Sequence, residues 1–263
     1  MNTLLNIITI TKDDFDGLKS TIQSTRNLRN ENLAWQIIID SSVPEIQEKN
    51  KNSIISENNV HYIWQKPSGI SSAFNLGLHS SKSEWVWFLN GGDLCHPSLD
   101  VNNLIYILSA TNADSLIFQI EFMDSHVHYN HPPLWNLWPP LYPNWMTHPA
   151  TIIRKNLFDK FGPFNSNFEI GMDGEALIRF FSKKDVVVDL ISIPIALFDK
   201  SGISRTQLEN SAKEVVKIIK LHFWIILKQS LSGLRIIFLA LVHPCRIKWH
   251  KMVQLISTRN VSI

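Results

Sequence analysis

Asn90-Gly91-Gly92-Asp93 is the segment of this 263-residue chain whose residue types and spacing point most directly to chemistry. Glycines let a backbone come close to a ligand. An aspartate beside them offers a hard oxygen to Mn2+ or Mg2+, the cations that clamp diphosphates. The plain alternative is an aspartate in a β-turn, held by local backbone hydrogen bonds. Two further segments, Thr11-Lys12-Asp13 and Asp40-Ser41-Ser42, also combine acids with small polar residues. Asp13 and Asp14 read more simply as helix caps than as ligands.

All three segments follow a run that reads as a strand. Leu5 to Thr9, Trp35 to Ile39, Val60 to Trp64 and Trp85 to Leu89 are short and apolar, and the last carries no charge. Helix-like stretches separate them, one presenting Phe15, Leu18 and Ile22 on a face and another running from Ile70 to Ser80. That alternation predicts an α/β fold, a Rossmann-like, mostly parallel mixed sheet flanked by helices. In such sheets ligands sit beyond the carboxyl ends of the strands, where the three polar segments fall. Further on, Thr151 to Arg154 and Val186 to Ile191 read as strands and Asp173 to Phe181 as a helix. Pro132 to Trp145 is too rich in proline for either.

A net charge of +2 conceals two halves. From Lys213 onward the chain holds nine of its 25 Lys and Arg but one of its 23 acids, Glu214. Basic tails meet phosphate, on lipid headgroups or nucleic acid. Here the basic residues lie among aliphatics rather than along a polar groove, so nucleic acid is not expected. Leu221 to Val242 is apolar but broken by Lys228 and Arg235. Each such charge costs about 2.5–3.5 kcal/mol at a bilayer centre, against about 0.3–0.6 returned per large apolar residue. The segment therefore reads as an amphipathic helix lying on anionic lipid, or else as a helical hairpin packed on the body or on a second subunit. Cys95 and Cys245 show no metal-ligand spacing, and Met1 to Ile10 lacks the features of a secretory signal. These readings place the catalytic body in the cytoplasm, peripheral to the inner face of the membrane.

In order and spacing, four segments resemble glycosyltransferase family 2, inverting enzymes of GT-A fold, and especially its bacterial O-antigen and exopolysaccharide branch. They are Asn6 to Asp14, Trp35 to Ser42, Pro67 to Gly77 continuing through Phe88 to Asp93, and His148-Pro149-Ala150 with Phe161 to Phe164, Asp173-Gly174-Glu175 and Arg179. The resemblance covers roughly residues 4 to 205. It implies a catalytic domain over 1–205, with a nucleotide-sugar half over 1–95 and an acceptor half over 96–205, followed by a basic helical segment over 206–263.

For single residues the resemblance implies the following. Asp93 is the metal-binding acid, with Mn2+ or Mg2+ as cofactor. Thr9, Thr11, Asp40, Ser41, Gly69, Asn75, Asn90 and Gly92 belong to the site of a nucleotide-sugar donor, UDP-linked by default. Asp173 is the general base; a helix cap is its plain alternative. His148 and Glu175 fall on the acceptor side, although Glu175 and Arg179 are also spaced as a helical ion pair. Trp135, Trp138 and Trp145 offer indole faces for sugar rings, or else pack their loop onto the body. The implied acceptor is a lipid-linked glycan, and an oligomer is compatible with the chain.

Departures from the family pattern are one acid in Asp40-Ser41-Ser42, one in the metal segment, and Pro149 where glutamine is usual. A sugar-phosphate nucleotidyltransferase would need a glycine-rich basic loop after the first strand, and Lys12 to Gly17 is acidic instead. A binding module on a decayed transferase domain is the remaining alternative.

Overall fold

A computed structural model describes residues 3–124, 128–129, 148–198 and 207–224. Strand β1 (Leu5–Thr11) is buried along nearly its whole length. It is followed by α1 (Phe15–Ser24), whose first turn is capped by Asp14: the Gly17 amide donates to Asp14 Oδ1 at 2.9 Å. The short α2 (Arg26–Asn30) leads to β2 (Ala34–Asp40), α3 (Pro44–Ser53), β3 (Val60–Trp64) and α4 (Ile70–Ser80). Then come β4 (Trp85–Phe88), β5 (Leu94–Cys95), α5 (Val101–Ala110), β6 (Ser115–Phe122) and β7 (His128–Tyr129). A 3-10 turn (His148–Ala150) enters β8 (Thr151–Arg154), and α6 (Lys155–Phe161), α7 (Met172–Phe181), β9 (Val188–Phe198) and α8 (Leu208–Leu221) complete the described residues.

The strands form one sheet in the order β3-β2-β1-β4-β8-β6-β9-β5, with β7 paired to β6. The first four are parallel, as the βαβ pattern predicts. Their register aligns Thr11 with Asp40 and Asp40 with Trp64, so the three strand ends form one rim. Beyond β4 the sheet turns mixed: β8 runs antiparallel to both β4 and β6, while β9 runs parallel to β6. The residues entering β8 consequently lie beside those leaving β4.

Two apolar layers hold the sheet. On one face Phe74 of α4 meets Phe88 of β4 edge-on at 5.0 Å, and Phe158, Phe164 and Phe180 extend the cluster toward α6 and α7. Gly77 lets α4 lie against β1, since a methyl there would run into Ile8. On the other face Trp85, Trp87, Leu104 and Leu108 pack α5 onto the sheet. Both indoles find acceptors for their N–H, in Leu108 O at 3.2 Å and Pro149 O at 2.8 Å. The second of these bonds pins the turn that carries His148.

Candidate active site

The Asn90–Asp93 segment is a closed β-turn, with the Asp93 amide donating to Asn90 O at 3.1 Å. Gly92 takes φ +100°, which glycine adopts without strain. Gly91 donates to Ile10 O at 3.0 Å, and a Cβ on it would sit 3.3 Å from Thr11 Oγ1. Thr21 on α1 staples the turn from below: its hydroxyl donates to Asp93 O at 2.7 Å and accepts from the Gly92 amide at 3.0 Å. The backbone that presents Asp93 is thus fixed by β1 and α1 together.

Beside this turn stands His148. Asn90 Nδ2 lies 2.9 Å from His148 Nε2, and His148 Nδ1 lies 3.1 Å from Asp173 Oδ2. The other Asp173 oxygen accepts the Gly174 amide at 2.7 Å. Asp173 is the second residue of α7, and Gly171 occupies the cap position. Asp173 keeps 23% of its side chain exposed and His148 15%, so both reach solvent while bound to each other. The ring of His148 also leans edge-on against Phe74 at 5.5 Å.

Helix α4 sets where α7 begins. Asn75 clamps Phe164, donating to its carbonyl and accepting from its amide, both at 2.9 Å. Ser71 donates to Phe168 O at 2.7 Å. Asn75, expected among the donor contacts, is spent on this clamp. Gly69, with φ +96°, starts the same helix at an open surface.

At the rim of β1, β2 and β3 the polar residues are mostly occupied with one another. Asp40 is fully buried; its oxygens accept from the Ser42 amide (2.7 Å), Asn50 Nδ2 (2.8 Å) and the Tyr62 hydroxyl (2.6 Å). Burial first, and then Asp40, push the Tyr62 phenol far above its usual pKa. Thr9 is also fully buried, accepting from Gln36, which in turn accepts from Thr25. Thr9 and Asp40 are thus both engaged in hydrogen bonds beneath the rim. Thr11 and Ser41 sit at the rim itself, 7% and 8% exposed, joined by a bond from the Ser41 amide to Thr11 O. Asp13 takes φ +57° and caps Val43 N at 2.9 Å, as a loop-ordering acid.

Glu175, expected on the acceptor side, is 2% exposed and holds Arg179 through both oxygens, with His222 at 3.0 Å. Its two oxygens are engaged by these two partners. Trp135, Trp138 and Trp145 lie outside the described residues. Sequence reading missed Thr21, Tyr62, Asn50 and His222, whose roles come from partners distant in sequence. Glu214, the lone acid of the basic segment, was noted there only as a charge.

Among the described residues no group of three or more His, Cys, Asp or Glu converges on one point. Asp93, 3% exposed, and Asn90 carry hard oxygens in one turn, and Asn90 Oδ1 is buried with no hydrogen-bond partner among the described residues. Such a sparse oxygen set fits Mg2+ or Mn2+, which take most ligands from water and substrate phosphates. It does not fit an all-protein cage.

The chain is 23% identical over 150 residues to a PGL/p-HBAD biosynthesis glycosyltransferase of Mycobacterium bovis and to one of Mycobacterium tuberculosis. The match spans 57% of this chain and 57% of the length of those relatives. In fold it is similar to S. aureus TarS bound to UDP-GlcNAc, with TM-score 0.64 and 12% identity over 90% of this chain and 69% of that one. It is also similar to the Pyrobaculum calidifontis mannosyltransferase PcManGT with GDP-Man and Mn2+, with TM-score 0.63 and 11% identity over 85% of this chain and 65% of that one. The family described as glycosyl transferase family 2 matches residues 6–182. That match spans more than half of the chain, and the chain belongs to glycosyl transferase family 2, as the four sequence segments had implied.

Proposed function

We propose that this glycosyltransferase moves a hexose or related sugar, with inversion, from a nucleoside diphosphate to a glycan hydroxyl. The observation that carries the proposal is the line Asn90–His148–Asp173, which joins the donor-side turn to the base-side helix. Asp173 accepts the acceptor's hydroxyl proton as the new C–O bond forms at the anomeric carbon. The bond from that carbon to the diphosphate oxygen breaks on the opposite face, and the nucleoside diphosphate leaves. Asp93, with Asn90 in the same turn, would hold Mn2+ or Mg2+. That cation's contribution is to neutralise charge on the departing diphosphate. Thr11 and Ser41 line the nucleotide rim, and Asp40 holds the rim's shape through Tyr62 and Asn50.

The donor is proposed to be a UDP-sugar, in keeping with the fold it shares with S. aureus TarS bound to UDP-GlcNAc. The acceptor is proposed to be a lipid-linked glycan of a bacterial surface polysaccharide such as O-antigen, with Trp135, Trp138 and Trp145 as stacking faces. Among the described residues no helix is long and apolar enough to cross a membrane. The basic, aliphatic sequence from Leu221 to Val242 supports peripheral contact with anionic lipid on the cytoplasmic face.

The test incubates the full chain with Mn2+ or Mg2+, a panel of nucleotide sugars and a lipid-diphosphate saccharide, and follows nucleotide release and product. Release that depends on acceptor and is lost in Asp173→Asn supports the proposal. Full transfer by a folded Asp173→Asn variant would remove the base assignment.

A further inference from the structure

Helix α8 lies outside the matched family segment of residues 6–182, yet it reaches the helix that carries Asp173. Glu214 is 7% exposed, and its carboxylate accepts three consecutive backbone amides: Glu169 at 2.7 Å, Ile170 at 2.9 Å and Gly171 at 2.7 Å. These amides belong to the stretch that leads into α7, ending at its cap residue Gly171. Glu214 thus fixes the backbone up to the cap residue, and the Gly174 amide inside the first turn is taken by Asp173 itself. A Cβ on Gly171 would lie 2.8 Å from Ile218 Cδ1, so α8 packs directly against the start of α7. Asp173 follows two residues later.

A second buried contact ties the same two helices. His222 at the end of α8 lies 3.0 Å from Glu175, at 6% and 2% exposure. Glu175 in turn grips Arg179, whose guanidinium donates to the carbonyls of Phe161, Gly162 and Pro163. The start of α7 and the turn before it are thus held from α8 at two points about two helical turns apart. An unpaired buried carboxylate is costly, so a lone acid in a basic segment implies a specific structural partner. Here that partner is the backbone from which the base projects.

We infer that Glu214 is a positioning residue for Asp173 and that α8 is part of the catalytic unit rather than a separable tail. This rests on the proposed role of Asp173. Glu214 touches neither Asp173 nor substrate in this arrangement; it fixes the backbone that aims the carboxylate. Misplacing a reacting group by about 1 Å costs on the order of 100-fold in rate.

The experiment compares the parent full chain with Glu214→Ala and Glu214→Gln, measuring kcat per nucleotide-binding site, donor KM, thermal midpoint and amide hydrogen exchange. Glu214→Ala is expected to lower kcat by about 10- to 100-fold with donor KM unchanged. Glu214→Gln, which keeps one acceptor oxygen, should fall between the two. In the parent the amides of Glu169, Ile170 and Gly171 should exchange slowly, and in Glu214→Gln they should lose protection while those of α4 keep theirs. Parent-like kcat in Glu214→Ala with only a lower thermal midpoint would overturn the inference. So would free exchange of those three amides in the parent, which reads the clamp even where a variant fails to fold. A parent chain that transfers no sugar would instead sink the proposed function, and slow exchange would still establish the clamp.

Discussion

His148 Nδ1 lies 3.1 Å from Asp173 Oδ2, across 25 positions of sequence and between two different elements. An ionised carboxylate can only accept, so Nδ1 carries the proton and Nε2 is left to accept from Asn90 Nδ2 at 2.9 Å. The imidazole is held in one tautomer by a partner on each side. The arrangement fixes the orientation of the Asp173 carboxylate.

Replacing the base should therefore cost more than replacing its orienting partner. Asp173→Asn is expected to lower kcat by about 10²–10⁴-fold, the usual range for a positioned general base. His148→Ala should lower it less, and the double variant should resemble Asp173→Asn alone because the two act as a unit. Initial-rate kinetics on all three decide this. Additive losses would mean that His148 works independently of Asp173.

Removal of divalent cation with a chelator should stop transfer, and Mn2+ or Mg2+ should restore it. Asp93→Asn should lose about 100-fold or more in kcat, since neutralising a leaving group's charge contributes several kcal/mol. Nucleotide affinity measured with and without Mn2+ provides the control: the parent should bind more tightly with the ion, and the variant should not.

Tyr62→Phe removes one donor to the buried Asp40 carboxylate. Leaving a buried acceptor short of a partner costs about 1–3 kcal/mol or more. Urea unfolding should show that loss with an unchanged slope, and donor KM should rise because the rim of Thr11 and Ser41 rests on this network. A stable Tyr62→Phe protein with parental KM would mean that Asp40 is satisfied by Asn50 and Ser42 alone.

Acid should loosen the contact between α7 and α8. Burial alone would raise the Glu175 pKa, but hydrogen bonds from His222 and Arg179 and the Arg179 charge hold it below its ordinary 4.5. A carboxylate whose folded pKa is depressed stabilises fully above its unfolded pKa, and loses that contribution as pH falls through the folded value. Stability should thus decline below about pH 4.5. Glu175→Gln should flatten that decline and cost about 3 kcal/mol at neutral pH by leaving Arg179 and His222 without their anion. Urea melts across pH 3 to 7 read both effects; an unchanged acid slope would place the sensitivity elsewhere.

Much of the donor half was legible from residues alone. Val60–Trp64, Ile70–Ser80 and Thr151–Arg154 have the predicted bounds, and β1, β2 and β4 are close to theirs. Uncharged β-branched runs have few places to go but a buried sheet, and alternation with helices dictates parallel pairing. By contrast α3, α5, α6 and β6 were not foreseen. Pro44–Ser53 is mostly polar and Ser115–Phe122 pairs on both sides with strands that come later in the chain, so neither has a strong local period.

At the site, sequence by itself determined the Gly-Gly-Asp turn after β4 and the helix that opens near Asp173, because turn chemistry and helical periodicity are local. Which polar residues reach the surface was decided only by tertiary structure. Thr9 lies inside β1 and Asp40 ends β2, both fully buried, whereas Thr11 and Ser41 keep 7% and 8% of their surface. The antiparallel return of β8 along β4 brings His148 to Asn90 from 58 positions away, and α8 folds back to place Glu214 under the start of α7. Such contacts are set by packing between distant elements, and no local pattern of residues encodes them.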